Sequence, residues 1–164
     1  MKTLLLIRHA KSSWKGEALP DFERPLNERG KKDAPEMARR LKARGVQIDA
    51  FISSPAKRAK NTAKLFMQVF AANENYLILV PELYEVSLLS FKKAVENISD
   101  TFNTVALFAH NPGITDFVNS LESKPVDDMP TCAVYAINMH GNSWIEIQVV
   151  DKEFLFFDYP KNEE

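Results

Sequence analysis

The sequence predicts an α/β fold, a three-layer α/β/α sandwich around a mainly parallel sheet. Leu4 to Ile7, Ala50 to Ile52 and Val105 to Ala109 are short unbroken apolar runs, the pattern of strands buried on both faces. Between and after them, apolar residues at i, i+3, i+4, i+7 spacing mark amphipathic helices that would cover such a sheet. Past Cys132 the period changes to the alternation of a hairpin. The 164 residues suit one domain, taken as 1–160, followed by a polar tail at 161–164 expected to fray.

The first strand stops at Arg8 and His9. Ala10 to Leu26 then reads as a loop with Gly16, Pro20, Asp21 and Pro25 as breakers, pinned to the body by Trp14, Leu19 and Phe22. Ala34, Met37, Ala38 and Leu41 predict a helix over about 33–44 with Gly45 as its stop. Pro35 conflicts with a helix running unbroken from Asn27, so either the first turn is irregular or Asp33 caps a fresh start. The run at Ala50 ends in Ser53-Ser54-Pro55, a cap and first-turn signal for a helix over about 55–70 whose apolar face is Ala56, Ala59, Ala63, Phe66 and Phe70. Tyr76 to Val80 reads as a strand, Leu88 to Ile98 as a helix capped by Ser87 or Ser90, and Ile114 to Leu121 as a short helix. Tyr135 to Ile137 and Trp144 to Val149 flank His140-Gly141-Asn142 as a hairpin with an exposed His140, and Phe154 to Phe157 adds a last strand.

Composition narrows the class of function. The chain is 45% hydrophobic and 26% charged, as soluble globular domains are. A formal net charge of -1 argues against nucleic-acid binding. The basic clusters at 31–44 and 57–64 read as solvated helix faces, Arg58 excepted. No apolar stretch has transmembrane length, so no membrane partner is expected. Leu4 to Ile7 is too short for a signal peptide, and the expected location is cytoplasmic. The single cysteine, Cys132, rules out an intramolecular disulfide, and its apolar neighbours suit a buried thiol better than a nucleophile.

Three of the apolar runs end in residues able to handle an anion. Arg8 and His9 close the first, Arg58 falls in the first turn of the helix after the second, and His110 follows the third directly. The carboxyl ends of parallel strands form the usual ligand crevice of such sheets, so these four residues converge there if the strands are neighbours. Two guanidinium groups can clamp a phosphoryl group, one imidazole can attack it, and the other can bind it or exchange protons with it. An arginine near a helix N-terminus opposes the helix dipole, which an anion would offset. The histidines are accompanied by arginines rather than carboxylates or thiolates, and guanidinium repels cations, so neither metal nor other cofactor is expected.

These residues also carry a resemblance. RHAKSSW (Arg8 to Trp14), SSPAKRAKNTA (Ser53 to Ala63) and AHNPG (Ala109 to Gly113) resemble, in order, three signatures of the histidine phosphatase superfamily, the phosphoglycerate-mutase-like enzymes. RPLNERG (Arg24 to Gly30), LYEVS (Leu83 to Ser87) and PTCA (Pro130 to Ala133) are similar to elements of its short SixA-like phosphohistidine phosphatases. The resemblance implies a phosphoglycerate-mutase-like fold. Ala10 stands where the wider family has Gly, so ordinary backbone is expected there. The place of Arg24 in the RPL element implies that it turns toward the anion; tying down the loop is the other reading. Ser12 aligns with the signature Ser, as a donor to phosphate or a local cap. Glu85 falls on the superfamily's proton-donor segment, against the plain reading of a surface carboxylate before a helix.

The reaction expected is removal of a phosphoryl group through phospho-His9, with Arg8, Arg58 and His110 holding its oxygens, His9 neutral at the attacking nitrogen and His110 preferably protonated. The insertions between motifs are too short for a substantial lid, so the pocket is expected to be shallow and open. That suits a phosphorylated side chain on a protein, and the SixA-like resemblance implies phosphohistidine. The alternatives are a small-molecule phosphomonoesterase and, from another class, a noncatalytic module that binds phosphorylated proteins.

Overall fold

The computed structural model describes residues 1–14, 19–85 and 87–162. Six strands form one sheet: β1 (Lys2–Arg8), β2 (Ala50–Ser53), β3 (Ile78–Leu79), β4 (Thr104–Ala109), β5 (Val134–Met139) and β6 (Lys152–Asp158). Their spatial order is β3-β2-β4-β1-β5-β6. β3, β2, β4 and β1 pair in parallel, and β5 and β6 add an antiparallel edge. The helices are α1 (Glu28–Ala43), α2 (Lys57–Val69), α3 (Leu88–Glu96) and α4 (Gly113–Ser120). None is long and apolar enough to cross a membrane.

β1 shows why its apolar run is continuous. Successive side chains point to opposite faces. Leu4 and Leu6 pack with Phe91 and Val95 of α3 and Phe117 of α4, whereas Leu5 and Ile7 pack with Met37 and Leu41 of α1 and Phe66 of α2. All four are fully buried. Each such side chain contributes roughly 1.5–3 kcal/mol of transfer free energy, which fixes the strand in the middle layer. The expected three layers are those observed.

Several boundaries differ from expectation, each for a local reason. α1 begins at Glu28 rather than Asp33 and runs through Pro35 without a break. Asn27 caps it, its side-chain oxygen accepting the Gly30 N–H at 2.8 Å. Gly30 lets the helix start lie against the first loop, because a Cβ there would overlap the Lys11 carbonyl. Cap and buried face together offset a mid-helix proline, which costs about 3 kcal/mol. Gly45 stops the helix at φ +82°, as expected. α2 starts at Lys57, two residues later than Ser-Pro suggested, with Arg58 in its first turn.

The strand expected at Tyr76 to Val80 shrinks to Ile78–Leu79, since Glu74–Tyr76 forms a 3-10 turn capped by Asn73. Trp144 to Val149 is not a strand. Ser143 and Glu146 form a capping box around a 3-10 turn, and Trp144 gives its backbone N–H to Asp100 and its indole N–H to the Phe102 carbonyl. The apolar alternation misled because Trp144 and Ile147 are spaced one turn apart and buried, while Ile145 and Val149 stay exposed. The strand that follows β5 and pairs with it is β6.

Trp14, Leu19 and Phe22 do not pin the first loop into a core; all three are exposed. Gly16, read as a breaker there, lies outside the described residues. The tail is held as far as Asn162 by Arg40, which donates to the carbonyls of Tyr159, Pro160 and Asn162, so Arg40 is not merely part of a solvated face. Residues 163–164 lie outside the described residues.

Candidate active site

The parallel order places β4 between β2 and β1, so the residues following three strands meet at one sheet edge. Arg8 pairs with Ala109 across the β1–β4 ladder, and the His9 N–H donates to the Ala109 carbonyl at 3.0 Å. His110 follows at once, its ring centroid 5.1 Å from that of His9. On the other side the Ser54 N–H donates to the Phe108 carbonyl at 2.9 Å, and the chain enters α2 and Arg58. The structure thus brings Arg8, His9, Arg58 and His110 together.

The backbone of His9 is fastened on three sides. Its carbonyl, with that of Arg8, accepts the Cys132 N–H at 3.0 and 3.1 Å. Cys132 adopts φ +62° to make this double contact, a left-handed conformation that costs a non-glycine residue about 1 kcal/mol. Its thiol is fully buried, and burial pushes its pKa up, as the sequence suggested. The next N–H, from Ala10, donates to the Thr62 hydroxyl at 2.9 Å, and that hydroxyl donates to the Arg58 carbonyl at 2.8 Å. Thr62 therefore ties the strand end carrying His9 to the helix turn carrying Arg58. Ala10 itself has no positive φ.

The two imidazoles are set to different tasks. His9 Nδ1 lies 2.7 Å from the Ala10 carbonyl, an oxygen that can only accept, so Nδ1 carries the proton and Nε2 keeps a lone pair. Burial, reinforced by Arg58 and Arg8 against the Ala10 contact, lowers the His9 pKa to about 3. His110 Nε2 lies 2.7 Å from the Ser54 hydroxyl, whose oxygen also accepts the Ala56 N–H. Pointing the Ser54 hydroxyl proton at His110 Nε2 gives that proton its acceptor and leaves Nδ1–H as a donor. Burial first, then the neighbouring His9 and Arg58, lowers the His110 pKa to about 3. The protonated form expected of it is the one that a bound phosphoryl dianion would favour. A neutral ring still donates from Nδ1.

Among the described residues, buried side-chain nitrogen or oxygen atoms without a hydrogen-bond partner number four: Arg8 Nε, Arg58 Nε, His110 Nδ1 and Gln148 Nε2. Three belong to the residues gathered here, and all three are donors. Unpaired buried donors are costly in a folded protein, and their clustering beside a neutral imidazole suits an anion. Arg8 Nη1 is held by the Met129 carbonyl at 2.8 Å, which also accepts from Asn111 Nδ2 at 3.1 Å.

The crevice is not shallow and open. His9, Arg58 and His110 are only 7–8% exposed, with Asp21 set on Arg58 and Tyr84 against His110. Asp21 makes the closing contacts. Its carbonyl accepts from Arg58 Nη1 at 2.8 Å and its Oδ2 from Arg58 Nη2 at 3.0 Å, while Oδ2 also accepts the Tyr84 hydroxyl at 2.7 Å. Tyr84 in turn sets its ring edge against His110, centroids 5.6 Å apart, and receives Phe22 edge-on. A loop too short for a separate lid suffices because one carboxylate reaches a guanidinium at its centre.

Arg24 serves the loop. It donates to the Ser13 carbonyl, to Asp21 Oδ1 at 3.1 Å and to Ser12 Oγ at 2.6 Å, with its guanidinium 3.3 Å from the Trp14 ring centroid. Ser12 is engaged there and in a bridge to Leu26. Glu85 is exposed and its Oε2 accepts the Ser90 hydroxyl at 2.7 Å, a bond directed to α3 rather than to the four gathered residues. Sequence reasoning had left Asp21, Ser54, Thr62 and Tyr84 without roles at the site. Thr62 had a legible signal, a polar residue one turn after Arg58 and off the apolar stripe, and Asp21 stands three before Arg24.

Residues 4–103 match the model of the histidine phosphatase superfamily, branch 1. An uncharacterized chloroplastic protein of Arabidopsis thaliana is 29% identical over 153 residues, covering 88% of this chain and 70% of that one. A 2,3-bisphosphoglycerate-dependent phosphoglycerate mutase of Bartonella henselae is 33% identical over 86 residues, but the match spans only 51% of this chain and 42% of the mutase. A solved structure assigned as the phosphohistidine phosphatase SixA of Agrobacterium tumefaciens superposes with a TM-score of 0.80 at 21% identity, covering 97% of this chain and 98% of that one. The strand-end arginine and histidine, the Ser-Pro helix start and the second histidine thus sit in the SixA-like fold, and the chain belongs to the histidine phosphatase superfamily, branch 1.

Proposed function

We infer that this protein is a phosphohydrolase working through a phosphohistidine at His9, and that its substrate is phosphohistidine in a protein. The observation that carries the reaction is the donor set: Arg8 Nε, Arg58 Nε and His110 Nδ1 are buried without partners beside an imidazole whose Nε2 holds its lone pair. Nε2 attacks phosphorus in line. The new N–P bond forms as the bond to the leaving group breaks, and the phosphoryl oxygens are held by Arg8, Arg58 and His110. The phosphorylated ring keeps its Nδ1 proton and is cationic, a charge that the Ala10 carbonyl stabilises. Water then attacks phosphorus, the N–P bond breaks, and phosphate leaves with His9 neutral again.

The substrate is argued from the leaving group. An alkoxide needs a proton from an acid as it departs, worth about 10² to 10⁴ in rate. A phosphohistidine ring takes its proton from solvent beforehand and leaves as neutral imidazole. Glu85, the acid the superfamily pattern points to, turns its carboxylate to Ser90, an arrangement that supports a substrate needing no enzymic acid. The second reading, a small-molecule phosphomonoesterase, is favoured by the segment covering the site and by the local similarity to a phosphoglycerate mutase. Hydrolysis of a phosphohistidine protein and of phosphoesters, measured side by side in wild type and Glu85→Gln, separates them. The expected result is a phosphohistidine kcat/KM well above that for esters and changed less than threefold by the substitution. Efficient ester turnover that collapses about 10²-fold in Glu85→Gln would move the assignment to the phosphomonoesterase.

A further inference from the structure

Arg58 already holds an anion, and it belongs to this chain. Both terminal nitrogens of its guanidinium are engaged by Asp21, one by the carbonyl and one by the carboxylate. The atoms left unpaired, Arg58 Nε and His110 Nδ1, have essentially no exposed surface. A phosphoryl oxygen therefore cannot reach them without a rearrangement, and the guanidinium that carries one of them is held by Asp21. Something has to yield, and the contacts around Asp21 indicate what.

Asp21 has the features of a displaceable ligand. Its side chain is 48% exposed, so on leaving Arg58 it returns to water without a large desolvation cost. Arg24, three positions on in the same segment, can stay with Oδ1 when Asp21 goes, whereas the Tyr84 hydroxyl, on another element, tethers Oδ2 beside Arg58. Its mild burial acts against ionisation, but the hydrogen bonds from Tyr84, Arg24 and Arg58 lower its pKa to about 2, so it stays an anion throughout the neutral range. No apolar core anchors the segment, for Asp21, Phe22 and Glu23 are all exposed. Against it stands a phosphoryl dianion with twice the charge and three acceptor oxygens, the stronger partner for a buried guanidinium at equal distance.

We propose that Asp21 is an affinity-determining residue of this site, an internal anion that occupies Arg58 and that the incoming phosphoryl group displaces. The proposal rests on the reading of Arg58 as a phosphoryl-binding residue. Its consequence has an unusual sign: removing a charged residue at the site tightens anion binding. The apparent dissociation constant is the intrinsic one divided by the fraction of molecules with Arg58 free, so any change that weakens the Asp21 contact lowers it.

The test is calorimetric titration of inorganic phosphate into wild type, Asp21→Asn, Asp21→Ala, Tyr84→Phe and Arg58→Ala, with folding checked by thermal melting. Asp21→Asn and Asp21→Ala are expected to bind phosphate about tenfold more tightly than wild type. Tyr84→Phe, which removes one tether of the carboxylate and leaves the ring, is expected to gain about two- to threefold. Unchanged affinity in the Asp21 variants would overturn the proposal, and weaker affinity would show instead that Asp21 holds Arg58 toward the anion. Either result leaves the phosphoryl-binding reading intact as long as Arg58→Ala binds poorly. Phosphate binding by Arg58→Ala equal to wild type would overturn that reading and the proposal with it.

Discussion

On the floor of the crevice, His9, Ser54, Thr62 and His110 are each less than a tenth exposed and joined to their surroundings by hydrogen bonds of 2.7–3.2 Å. Across the opening, Asp21, Phe22 and Glu23 are exposed, and the bonds that hold them are no longer than those below. Bond length does not distinguish the two regions; the alternative partner does. A floor bond that breaks strands a polar group in the interior at a cost of about 1–3 kcal/mol, whereas a cover bond that breaks is replaced by water. The floor is therefore fixed and the cover exchangeable, which is the division that a site needing both aim and access requires.

Substitutions on the floor break this contrast most strongly. His9→Ala removes the nucleophile and is expected to lower kcat by about 10⁴-fold or more with the melting curve still cooperative, measured against a matched blank. Arg58→Ala, which removes a fixed charge from the phosphoryl oxygens, is expected to cost about 10² to 10³ in kcat/KM. Thr62→Val leaves the buried Ala10 N–H without an acceptor, and a loss of about 1–3 kcal/mol in stability together with a roughly tenfold fall in kcat/KM is expected from denaturant titration and kinetics. A loss of stability with kcat/KM intact would show that Thr62 supports the fold alone.

Acid sharpens the same contrast. His9 and His110 have folded pKa values of about 3, against about 6.5 in an unfolded chain. Between those values the unfolded chain binds more protons, so stability is complete above about pH 6.5 and is lost as pH falls toward 3. Urea midpoints measured from pH 7 to 4 are expected to decline, and less steeply in His110→Gln. A flat profile would contradict the neutral, buried pair.

The strands and their convergence were legible because apolar runs on a doubly covered sheet leave continuous signatures, and because Arg8, His9 and His110 stand directly where those runs stop. What stayed hidden depends on contacts far apart in sequence. Asp21 looks like any turn residue until the fold brings it to Arg58, 37 positions away, and to Tyr84, 63 positions away. Trp144 to Ile147 imitated a strand because a buried 3-10 turn and an alternating strand share short apolar spacings. The expectation of an open pocket failed for another reason. Loop length does not measure cover here, because a single charged contact at the centre of the site closes it.

The most direct measurement is of the intermediate. His9 presents Nε2 with its lone pair free because Nδ1 carries the proton, so mixing with a phosphoryl donor followed by a rapid quench should trap one phosphoryl group per chain. The expected adduct is acid-labile and alkali-stable, it maps to His9 by fragmentation mass spectrometry, and it is absent in His9→Ala. Steady turnover with no labelled His9 at any quench time, or an equal label retained in His9→Ala, would contradict the account.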